Sequence, residues 1–109
     1  MEIWTQINEA ADVAEIEKRY KELVAKSDEE LNDLPPESTE AIVGDSRGSR
    51  VSVYKVMNKA EGMDVILQMY IPGRNFLLVK IASVAAVGFR VLPNGEKSEL
   101  PKDILYEYM

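Results

Sequence analysis

Tyr54, Asp64 and Tyr70 fall on neighbouring predicted strands of the chain and can face one cavity. An aspartate base beside a tyrosine hydroxyl that stabilises an oxyanion is one way to move a proton without histidine. That matters here, because the 109 residues contain no histidine and no cysteine. The imidazole base, the thiolate nucleophile, the disulfide and every imidazole or thiolate metal ligand are therefore excluded. Two other groupings have types and spacing suited to binding. Gly44-Asp45-Ser46-Arg47-Gly48-Ser49-Arg50 combines glycine amides with Arg47 and Arg50, whose planar forks suit phosphate or carboxylate. Asp28, Glu29, Glu30, Asp33 and Glu37 form an acidic run with no intervening base, suited to a basic protein partner.

Each grouping also has a plainer reading. Strand tyrosines are commonly amphipathic, with a buried ring and a wet hydroxyl. The glycine loop lacks both the lysine-hydroxyl ending of a Walker loop and dinucleotide glycine spacing, and no helix follows it, so it reads as a solvated hairpin loop. The carboxylates lie in a hydrophilic stretch, without the burial or like charge that raises a catalytic pKa. A calcium loop would need alternating oxygen ligands about a central glycine, a pattern the sequence lacks. Ser27-Asp28-Glu29-Glu30 would suit an acid-directed kinase, but its spacing is that of a capping box, the better reading. The expectation is a chain without catalytic residues, cofactor or metal: a non-enzymatic protein-binding module of the inhibitor or immunity type. The alternatives are a pocket protein or tyrosine/aspartate enzyme, and a homodimer through an open sheet face bearing Tyr54, Val56, Ile66 and Tyr70.

Charge is unevenly distributed. The chain carries net −6, yet residues 1–40 hold twelve acids against four bases and residues 41–109 seven acids against nine bases. A net negative charge disfavours phosphate backbones and anionic lipid, so neither nucleic acid nor membrane is expected as a partner. The first ten residues lack the positive start of a secretory signal. The apolar run from Phe76 to Leu92 is broken by Lys80 and Arg90, which disqualifies it as a membrane helix. These features predict a soluble, cytoplasmic protein forming a single domain over 1–109.

The elements that would position these residues are read from hydrophobic period. Val13, Ile16, Tyr20, Leu23 and Val24 recur at helical spacing, opened by Asp12 and Glu15 as a loose capping box, with acid-before-base pairs such as Glu15 and Arg19 on the other faces. Ser27 opens a second, short helix that Pro35-Pro36 ends. Ala41 to Val43, Val51 to Val56, Met63 to Ile71 and the stretch from Phe76 to Leu92 read as strands, separated by glycine- and proline-rich turns. Residues 2–7 and 102–109 fit either strand or helix. The terminal Ile104, Tyr106 and Tyr108 would pack in the core or form an interface. The pattern predicts an α+β fold, with an N-terminal amphipathic helix packed on one face of a four- to five-stranded antiparallel sheet. With a first strand before the helix, the order β-α-β-β-β-β resembles the cystatin-like architecture.

Overall fold

The computed structural model describes residues 4–5, 10–45, 48–58, 62–72, 75–76, 79–80 and 83–108. In chain order the elements are β1 (Trp4–Thr5), α1 (Ala10–Val24), α2 (Asp28–Asn32), β2 (Glu37–Ala41), β3 (Arg50–Asn58), β4 (Gly62–Ile71), β5 (Asn75–Phe76), β6 (Val79–Lys80), β7 (Ser83–Val91), β8 (Lys97–Glu99) and α3 (Lys102–Tyr106). The expected α+β architecture is present. One antiparallel sheet runs β1-β7-β4-β3-β2, and β8 joins β1 along the outer edge of β7. β5 and β6 form a separate small ladder.

Strand alternation sorts the side chains into two layers. Val51 of β3, Val65, Leu67 and Met69 of β4, and Val87 and Phe89 of β7 meet Ile16, Tyr20 and Leu23 of α1 and Leu31 of α2 in the main core. On the opposite face Ile66 and Ala86 are fully buried beneath Leu100 and Leu105, with Tyr54, Ile104 and Tyr108 packed alongside. The close approach of Leu100 depends on Gly88, where an added Cβ would lie 2.8 Å from the Leu100 side chain and 2.7 Å from the Val65 carbonyl oxygen.

Three cross-links set α1 on the sheet. Tyr20 packs edge-on against Phe89 at 5.9 Å between ring centroids, and its hydroxyl donates to the Gly88 carbonyl at 3.4 Å. Lys97 of β8 donates to the Val24 and Lys26 carbonyls at 2.5 and 2.6 Å, supplying a cation and donors to the C-terminal end of α1. Arg19 joins Glu15 one turn back, at 2.8 Å, to Glu40 on β2.

The structure revises two boundaries, decides one segment that the sequence leaves open, and covers one face that it leaves bare. Helix α1 begins at Ala10, so Asp12 lies buried in its first turn and is not its cap. Strand β2 occupies Glu37–Ala41 and not Ala41 to Val43; its five side chains are all exposed, so no burial pattern marks it in the sequence. Residues 102–106, which fit either strand or helix in the sequence, form a helix whose buried Leu105 packs with Ile66. The face bearing Tyr54, Val56, Ile66 and Tyr70 is not open at its centre, because the C-terminal segment covers Ile66; Val56 and Tyr70, each 42% exposed, remain at its margins. Among the described residues no helix is long and apolar enough to cross a membrane.

Candidate functional site

The acidic run folds into an elbow made of α2 and β2. Ser27 caps α2 reciprocally: its hydroxyl accepts from the Glu30 amide at 3.2 Å, and the Glu30 carboxylate accepts from the Ser27 amide at 3.2 Å. The Ser27 amide, and after it the Ser27 hydroxyl, which donates to the Glu30 carboxylate at 3.2 Å, hold the Glu30 carboxyl below its ordinary pKa, with smaller help from Lys26 and Lys97. Leu31 buries the inner side of α2, while Lys55 donates to the Asn32 carbonyl at 2.6 Å and ties α2 to β3. Asp28, Glu29, Glu30, Asp33 and Glu37 are all exposed. Four project from α2 and its C-terminal cap, and Glu37 opens β2 opposite Tyr54.

Between α1 and the β2–β3 pair runs a groove of about 420 Å³. Its floor is Leu23, Leu34, Val51, Val53 and Leu67, and Arg19, Glu22, Lys26 and Glu40 stand along its rim. The rim cations have partners: Arg19 has Glu15 and Glu40, and Lys26 lies 3.9 Å from Glu30. Burial pulls the Arg19 pKa down, but its hydrogen bonds to Glu15 and Glu40 outweigh that and the net shift is upward. This groove was not anticipated, because it arises from the packing of α1 against an edge strand that carries no burial signal.

Tyr54, Asp64 and Tyr70 share the second sheet face, as strand parity predicts, and each has different neighbours there. Asp64 is buried, with both carboxylate oxygens engaged by Arg90 of β7 at 2.6 and 3.0 Å. Tyr54 donates to the Gln68 side-chain oxygen at 3.3 Å, and its ring lies 5.2 Å from that of Tyr108. The Gln68 amide in turn donates to the Tyr108 carbonyl. Burial first, then Glu107, Asp64 and Tyr54, raises the Tyr108 hydroxyl above its ordinary value. Tyr70 lies across from Arg50 at the exposed margin. The network ties the C-terminal segment to the sheet, and both Asp64 oxygens accept from Arg90.

No family model, curated protein or solved structure matches this chain. Gly44 and Gly48 take positive φ and Arg50 is exposed on β3, while Arg47 lies outside the described residues. The neighbouring cavity of about 390 Å³ is lined by Asp12, Glu15 and Asp45, and by no basic side chain among the described residues. Among the described residues no cluster of carboxylates forms a metal site.

Proposed function

We propose that this chain is a non-enzymatic binding module of the inhibitor or immunity type, which docks a basic protein partner on the elbow of α2 and β2. The observation that supports it is the joint exposure of Asp28, Glu29, Glu30, Asp33 and Glu37 on two consecutive elements fixed by a capping box and by Lys55. Carboxylates held on a rigid support present a definite charge pattern, which raises the association rate and selects partners by complementarity. The test is capture of partners from the native host by the wild-type chain and by a variant carrying Asp28→Asn, Glu29→Gln, Glu30→Gln, Asp33→Asn and Glu37→Gln. A basic protein should bind the wild type, lose affinity as salt rises, and fail to bind the variant. Binding indifferent to both salt and neutralisation overturns the reading.

The groove beside α1 supports a second reading, a pocket for a small ligand. Its 420 Å³ lies above the roughly 300 Å³ of ordinary ligand sites, and its floor is apolar. It ranks below the elbow because its rim cations are already engaged by Glu15, Glu40 and Glu30, which leaves fewer charges to orient a ligand.

A further inference from the structure

Strand β2 is paired on one side only: β3 fills its inner edge, and among the described residues nothing fills the other. The flanking bonds show which of its backbone groups face outward. The Lys55 amide donates to the Pro36 carbonyl at 2.9 Å, and the Ile42 amide to the Ser49 carbonyl at 3.1 Å. In an antiparallel ladder, residues bonded to one neighbour alternate with residues that are not. Ser38 and Glu40 thus continue the series of Pro36 and Ile42 and bond inward. Glu37, Thr39 and Ala41 direct their N–H and C=O groups to the free edge.

We propose that a second copy of this chain adds to this edge, β2 against β2, antiparallel about a twofold axis through Thr39. In that register Thr39 meets its own counterpart, Glu37 meets Ala41, and Ser38 meets Glu40. All the outward groups of the three edge residues then find partners, and no carboxylate faces a carboxylate. Moving the axis to Glu37 or to Glu40 sets like charges directly opposite, which is unfavourable in a strand pair. An axis through Ser38 also keeps carboxylates apart but sets Ala41 opposite Pro35, which has no N–H to give, whereas the Thr39 register pairs every outward group of Glu37-Ser38-Thr39-Glu40-Ala41.

Three features beyond the backbone agree with this occupant. Ala41 pairs with Arg50 on β3, so Glu37 of the second copy would lie one strand from Arg50 with only the small Ala41 between them. The Thr39 and Ser52 hydroxyls lie 2.9 Å apart in the row that crosses the axis, and the second copy would continue that hydroxyl row. Val43, 97% exposed in the turn after β2, and Pro35, exposed just before it, leave both ends of the seam open to a second copy. A five-residue seam falls short of the roughly 1,200 Å² of a standard stable interface, so the dimer is a reversible one. The inference does not depend on the proposed basic partner.

The test is sedimentation equilibrium of the full chain, with amide hydrogen exchange at low and high concentration. The wild type should reach dimer mass as concentration rises, while the Glu37, Thr39 and Ala41 amides gain protection and those of Ser38 and Glu40 stay as they were. Ala41→Glu sets a carboxylate opposite Glu37 twice per dimer and should weaken association about tenfold. Ala41→Lys should match or strengthen it. Thr39→Pro removes an outward N–H, while Thr39→Ala controls for the hydroxyl bonded to Ser52; the proline variant should weaken dimerisation by about tenfold more than the alanine variant. A chain that stays monomeric up to about a millimolar, a dimer that treats Ala41→Glu and Ala41→Lys alike, or protection gained elsewhere overturns the proposal.

Discussion

Asp64 lies on β4 between buried Met63 and Val65, where an ionised carboxylate is costly unless paired. Arg90, its register partner on β7, supplies two hydrogen bonds from a guanidinium about one-fifth exposed. Removing one member of such a pair costs more than the pair is worth, because the remaining charge keeps its desolvation penalty. Asp64→Ala should therefore cost about 2–4 kcal/mol, discounted from the fully buried case for the partial exposure of Arg90. Asp64→Ala with Arg90→Met should recover much of that loss. Urea melts of the two singles and the double measure the coupling; additive losses would mean that the two residues act independently. The same pairing aims both Asp64 oxygens at a neighbouring strand.

Among the elements, α1 depends on Tyr20, whose ring meets Phe89 and whose hydroxyl is buried. Burial, and secondarily Glu99, raises the Tyr20 pKa above its ordinary value. A folded-state pKa above the unfolded one favours folding while the phenol is protonated. The contribution is complete below the unfolded value near 10 and is lost as pH rises through the folded value. Tyr20→Phe should remove that part of the alkaline destabilisation. At neutral pH it should cost only about 1 kcal/mol or less, because the Gly88 carbonyl keeps its bond from the Leu100 amide at 3.0 Å. Denaturant melts at neutral pH and above about pH 10 check both halves; an equally steep alkaline decline in the variant would assign the effect to another group. The stripe that places Tyr20 was legible in the sequence, as was the alternation that puts Val51, Leu67 and Met69 on one face. β2 was not legible where it lies, because an edge strand exposed on both faces shows no alternation and is held by register with β3 and by the bridge from Arg19 to Glu40. Exposure of the five acids followed from their hydrophilic context. The engagement of Asp64 did not, since Arg90 is 26 residues away and becomes its neighbour only once β4 and β7 are paired.

At the scale of the molecule, the chain's two ends share one strand edge, with β1 on Ala85 and Ala86 and β8 on Phe89 to Val91. After β8 the chain crosses the sheet, and Leu100 and Leu105 bury Ile66 and Ala86. A fully buried aliphatic side chain contributes about 1.5–3 kcal/mol, so losing the burial of Leu100, Leu105 and Ile66 together forfeits about 5–9 kcal/mol. Domains of this size are stable by about 5–15 kcal/mol in all, so the C-terminal segment is a large share of what keeps the fold closed. Deletion of residues 100–109 should leave a chain that binds a hydrophobic dye and melts with little cooperativity. Leu105→Ala, which leaves the chain full length, should cost about 2–5 kcal/mol in urea melts. If the deletion melts as sharply as the full chain, α3 merely rests on the sheet and the second core contributes nothing. If both variants lose stability as expected, the face bearing Ile66 is structural, and the edge of β2 is left as the sheet's principal surface for another chain.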